Sequence, residues 1–179
     1  LMVPWAMNRN VRFKTGVGPL LDAMEKPDDV EASCLDGLSK KLAPVGKSLT
    51  LTRAALPPET TLIGFAGAPW TLITYMAEGG TSRESLKARQ WAWQNVKALN
   101  GLLDILIEAT ISFLSLQAQS GAQTLMLFDS WASAVPAAQR DWLVIKPARA
   151  IVEGVRNTGH NQPIIGFPKG IGDCLIRYA

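Results

Sequence analysis

A chain of 179 residues with 47% hydrophobic content is long enough to bury a sizeable core. Its 18 basic and 15 acidic residues leave a net charge of +3 with no clustered basic face, which argues against nucleic acid as a partner. Cys34 and Cys174 lie in no Cys-x-x-Cys or His/Cys cluster, so neither a disulfide framework nor a structural zinc site is expected; no leader pattern is visible, and a reducing cytoplasm fits.

In chain order, Pro27 followed by Asp28, Asp29 and Glu31 predicts an acidic helix start. The apolar spacing of Leu35–Leu56 continues that helix, with a break or bend expected at Pro44 and Gly46. Thr61–Phe65 is short, branched and apolar, as a fully buried parallel strand should be. Ala66–Pro69 is small and turn-forming, and Pro69 suits the first position of a helix running to Ala77. The apolar run Thr61–Ala77 approaches the length of a membrane span, but its Gly-Ala-Gly-Ala-Pro interruption favours strand, turn and helix, and no membrane partner is expected.

Beyond a turn at Glu78–Ser82, two helical stretches are predicted, Arg83–Gln94 and Gln94–Ser120. The second has apolar positions from Leu99 to Leu114 on one face and Asp104 and Glu108 on the other. Thr124–Phe128 reads as a second strand, Val135–Asn157 as a helix with an irregularity near Pro147, and Pro163–Phe167 as a third strand. A βαβαβ order implies parallel neighbours with right-handed crossovers, which an open doubly wound sheet and a closed barrel satisfy equally.

In either arrangement ligands bind at the carboxyl ends of the strands, so Phe65, Gly67, Trp70 and Tyr75 become candidate pocket residues. Trp70 suits packing better than binding. The Tyr75 hydroxyl is the polar exception on an apolar helix, and read alone it equally suits a core tyrosine capping a carbonyl. Asp129 and Ser130 follow the second strand, where such a pair more often caps a loop. His160, the sole histidine, sits before the third strand, at the end away from the ligand rim, and is expected to be exposed. Lys169 follows the third strand and could attract carboxylates or simply be solvated. No dinucleotide fingerprint or phosphate loop is present, so no nucleotide cofactor is implied.

Three blocks, TLIGFAGAPWTLITYMAEGG (residues 61–80), GAQTLMLFDSWA (121–132) and PIIGFPKG (163–170), resemble the third, fourth and fifth strand motifs of the uroporphyrinogen decarboxylase family. Residues 1–18 resemble the segment following that family's Ser-Asp-Ile motif. The resemblance implies an α/β fold, a partial (β/α)8 TIM barrel of about three βα units, with residues 1–179 forming a single incomplete barrel domain cut at both ends. It implies decarboxylation of the acetate side chains of uroporphyrinogen III to coproporphyrinogen III, without metal or organic cofactor. Tyr75 and Ser130 match substrate-binding positions. Phe65 and Phe128 match positions lining the tetrapyrrole cavity, where flat apolar walls suit a large ring and ordinary strand packing is the alternative.

The family's catalytic carboxylate belongs to the Ser-Asp-Ile motif, before Leu1, and Asp129 does not replace it. Arg9 and Arg12 do not match the family's carboxylate-gripping arginines. Ser133 departs from a glycine common in the fourth loop. The 179-residue polypeptide alone is expected to be inactive and poorly folded, and the full-length protein to be a homodimer. Two other functions compete. A zinc- and corrinoid-dependent methyltransferase of the same barrel superfamily would need a metal triad, and a non-catalytic interaction piece would use Trp91, Trp93 or Arg83–Arg89 as its surface.

Overall fold

The computed structural model describes residues 1–82 and 84–179; Arg83, which falls in the predicted helix and in the suggested interaction surface, lies outside the described residues. Short helix α1 (Met2–Ala6) leads to an antiparallel hairpin, β1 (Val11–Lys14) and β2 (Gly18–Leu21), then to α2 (Leu38–Ala55). The rest alternates: β3 (Ile63–Gly67), α3 (Pro69–Glu78), α4 (Leu86–Gln94), α5 (Val96–Gln119), β4 (Thr124–Asp129), α6 (Lys146–Asn157), β5 (Ile164–Pro168) and α7 (Leu175–Tyr178). Strands β3, β4 and β5 form a parallel sheet in that order, the arrangement of three successive βα units of a barrel wall.

The sheet has two unlike faces. Leu125 and Leu127 of β4, with Gly64 and Ala66 of β3, turn into the helical layer and are buried. Their alternates, Ile63 and Phe65 on β3, Met126 and Phe128 on β4, and Ile165 and Phe167 on β5, share the opposite face, in the register rows Phe65–Met126–Ile165 and Phe128–Phe167, and much of it is exposed. This corrects the expectation of a fully buried first strand: Phe65 is 60% exposed. A continuous apolar run reads as two buried faces, but here one apolar face is open.

Helix α5 holds the layer together. Leu99, Leu102, Leu103, Leu106, Phe113 and Leu114 are buried on it, packing toward α2, α6 and β3, and each such side chain contributes about 1.5–3 kcal/mol. Among the described residues it is the one helix long and apolar enough to cross a membrane, and its apolar side chains are spent on this core. The close approach of α5 and α6 depends on Gly154, where a Cβ would collide with the Ile111 side chain.

Three local expectations are corrected. Pro44 does not break α2, which runs through it to Ala55. The acidic stretch forms two 3-10 turns, Pro27–Asp29 and Ala32–Leu35, with the Asp29 carboxylate accepting the backbone N–H groups of Glu25 and Lys26 at 3.0 Å, so it caps a turn ahead of the helix. Val135–Asn157 is not one helix: 3-10 turns give way to a π turn, Asp141–Ile145, which runs into α6. Pro147 lacks the N–H that an unbroken α-helix would use here, and the wider π turn directly before it is the irregularity expected near this proline.

Candidate functional site at the strand ends

The carboxyl ends of β3 and β4 meet at one rim. Gly67 pairs with Phe128 in the parallel register, and the Ala68 N–H donates to the Phe128 carbonyl at 2.7 Å, carrying the chain straight from strand into α3. Pro69 takes the first helical position. Helix α3 then buries Trp70, Leu72, Ile73 and Met76 and leaves Tyr75 half-buried on the side facing the open sheet.

A cleft of about 380 Å³ lies against that face, lined by Phe65, Gly67, Tyr75, Phe128, Thr71 and Gln117 and closed from the far side by Leu1–Val3. The structure thus brings four of the sequence-selected residues together: Phe65, Gly67, Tyr75 and Phe128. Trp70 is fully buried; its Nε1 donates to the Trp131 carbonyl at 3.2 Å, a packing role. Ser130 does not line the cleft. It sits half-buried at the rim in the loop after β4, and its neighbour Trp131 meets Tyr75 edge-on, with ring centroids 6.5 Å apart, which links Ser130 to the Tyr75 wall.

The aromatic wall is stepped. Phe65 and Phe128, diagonal neighbours on adjacent strands, meet at 5.8 Å with their planes 89° apart, and Phe128 meets its register partner Phe167 at 5.9 Å and 70°, so edges and faces alternate across the sheet. The expected flat wall is corrected by this geometry, and Phe167, not selected from the sequence, is its third member.

Below the rim lies a polar knot. Asp129 is 1% exposed, and its carboxylate accepts the Thr71 hydroxyl at 2.7 Å. Burial pushes the Asp129 carboxyl up to about 7, against the pull of the Thr71 hydroxyl and backbone hydrogen bonds. Burial, and then the Asp129 charge, raise the Tyr178 hydroxyl above its ordinary range. Gln117 on α5, like Thr71, is a residue that sequence reading missed. Its carboxamide accepts the Phe65 N–H and donates to the Phe65 carbonyl, both at 2.9 Å, as a neighbouring strand would.

The remaining candidates lie elsewhere. His160 is half-buried rather than exposed, in the loop before β5 and away from the rim, where its carbonyl accepts Arg156 Nη1 at 3.0 Å. Lys169 is exposed just past β5. Arg9 and Arg12 bind Asp22 at the surface, Arg12 at 2.6 Å. Ser133 fits its 3-10 turn without the left-handed backbone that would demand glycine; Gly170, at φ +70°, is the glycine opposite, and a Cβ there would come 3.0 Å from that of Ser133. Among the described residues no three His, Cys, Asp or Glu side chains converge as a metal site.

Comparison with known proteins decides the kinship. The family model described as uroporphyrinogen decarboxylase matches residues 1–179. The chain belongs to the uroporphyrinogen decarboxylase family. It is 44% identical to the uroporphyrinogen decarboxylases of Maricaulis maris and Caulobacter vibrioides, in each case over 100% of this chain, and covers 52% and 50% of theirs. With that of Rhodospirillum rubrum it shares 40% identity over 96% of this chain and 49% of the relative. The chain therefore spans about half the length of the curated relatives it matches. A solved methyltransferase from Methanosarcina mazei superposes with a TM-score of 0.74 over 97% of this chain and 50% of its own, at 16% identity, a likeness of fold alone.

Proposed function

We propose that the full-length protein containing these residues decarboxylates the four acetate side chains of uroporphyrinogen III to give coproporphyrinogen III, with no cofactor. The observation that carries this reading is the cleft itself. In a chain of this family, an apolar aromatic wall runs beneath a single tyrosine hydroxyl at the rim of the strand ends. The stepped wall suits a tetrapyrrole whose rings are joined by saturated carbons, since each pyrrole can tilt separately against an edge or a face.

In this reading the pyrrole α-carbon next to the carbon that bears an acetate arm takes up a proton, which makes the ring a cation. The carbon–carbon bond to the carboxylate then breaks, and its electron pair enters the cationic ring as carbon dioxide leaves. A second proton converts the resulting exocyclic methylene to a methyl group, and the proton first added to the ring carbon leaves to restore the pyrrole, so each decarboxylation consumes one proton. The carboxylate that stabilises the developing positive charge is assigned to the family's Ser-Asp-Ile motif rather than to Asp129. Tyr75 donates its hydroxyl beside the reacting acetate, Ser130 binds a substrate carboxylate from the rim, and Phe65 and Phe128 pack against the macrocycle. Residues 1–179 form part of one barrel domain, and that protein works in the cytoplasm as a homodimer.

Anaerobic turnover of uroporphyrinogen by the full-length protein, followed by chromatography of the products, tests this. Unsubstituted protein should yield coproporphyrinogen without added metal, with Tyr75→Phe and Ser130→Ala each lowering kcat/KM by roughly tenfold or more. A folded full-length protein giving no product sinks the reading.

A further inference from the structure

Two chain segments remote in sequence carry the site. Tyr75 rides on α3, and Ser130 lies in the loop after β4. We infer that the buried Thr71–Asp129 pair is a positioning device: it locks the β4 loop onto the first turn of α3 and thereby sets Ser130 and Trp131 relative to Tyr75. The inference rests on the decarboxylase reading for the consequence in turnover, though not for the tether itself.

Thr71 is 6% exposed and Asp129 1%, so their 2.7 Å hydrogen bond is shielded from competing water. The Thr71 oxygen works in both directions. It donates to Asp129 and accepts the Trp131 N–H at 3.4 Å, a long and weak contact. The loop is held from the same helix turn a second time, by the Trp70 indole N–H on the Trp131 carbonyl. On its other side, the Lys169 N–H donates to the Asp129 carbonyl at 3.0 Å, extending the tie to the end of β5. Ser130 is thus flanked on both sides by residues fixed to α3, one full turn ahead of Tyr75 in the same helix. Neither Thr71 nor Asp129 needs to touch substrate for this; each acts through the backbone it holds. A displacement of about 1 Å at such a rim is enough to cost tenfold or more in rate.

The test uses the full-length protein with Thr71→Val, which keeps the shape and deletes the hydroxyl, and Thr71→Ser, which restores it; Thr71→Ala replaces the valine variant should that one not fold. Two quantities are read: hydrogen exchange of backbone amides in residues 129–134, and kcat and KM for uroporphyrinogen. The expected result is exchange about tenfold faster in that segment for Thr71→Val, with kcat/KM down about tenfold, and both restored to within about twofold by Thr71→Ser. Unchanged exchange in Thr71→Val overturns the tether. Faster exchange with kcat and KM unmoved overturns its positioning role. If the unsubstituted protein does not turn over uroporphyrinogen, the decarboxylase reading fails by itself, and the exchange measurement still decides the tether.

Discussion

Asp129 is where a single residue most affects the behaviour of this fold. Its carboxyl is raised from the ordinary 3.8 to about 7 because burial penalises the charged form more than Thr71 relieves it. The native state therefore holds a proton that the unfolded chain has released. Between these two values stability falls as pH rises, by up to about 1.4 kcal/mol per unit, and the contribution present in acid is gone once pH has passed about 7. Asp129→Asn should flatten that slope and raise stability above pH 7, as read from denaturant midpoints between pH 4.5 and 8; equal slopes in the two proteins would refute it. The sequence made the wall residues Phe65, Phe128 and Tyr75 visible because they sit inside one recognisable strand–turn–helix motif or its successor. Thr71 and Trp131 sit in the same motifs but carry no mark of their role, and Gln117 lies outside them. Thr71 and Gln117 act on partners 58 and 52 residues away, and no local pattern distinguishes a threonine that holds a loop from one that fills a helix.

Among the elements, the three parallel strands and long helices were legible, because each is a sustained apolar run bounded by glycine or proline. What failed was the sidedness of β3, since an apolar residue facing a cleft and one facing a helix look alike in sequence. The hairpin β1–β2 also went unassigned: its strands are only four residues each, and three of the four in β1 are exposed, which leaves almost no hydrophobic alternation to read. The α5–α6 contact is the element-level feature most open to challenge. With Ile111 occupying the space over Gly154, Gly154→Val must push the helices apart or force Ile111 from its rotamer, at a cost of about 1–3 kcal/mol. A shift in the urea midpoint of the full-length protein measures this. A valine variant as stable as the original would show that α6 sits farther from α5 than described.

At the scale of the whole molecule, the sheet presents helices on one side and an aromatic surface on the other, with Phe65 60% and Phe167 43% exposed. The sequence could not choose between open sheet and barrel from its own periodicity; the family motifs supplied that choice, and the two unlike faces of the sheet are what a barrel wall requires. A stepped wall should also discriminate by ligand shape. Planar, oxidised uroporphyrin, whose rings cannot tilt one by one, should bind the full-length protein at least about tenfold more weakly than uroporphyrinogen in anaerobic competition, and equal affinity would count against the wall as the macrocycle's contact surface. The Gln117 carboxamide has one more consequence, in the currency of assembly. It occupies the free edge of β3 at Phe65, whereas among the described residues no side chain bonds the backbone of Ile164–Phe167 on β5. Beside β3 an incoming parallel strand must first displace two hydrogen bonds worth about 1 kcal/mol each. Gln117 thus guards the β3 edge at Phe65 against chance strand pairing.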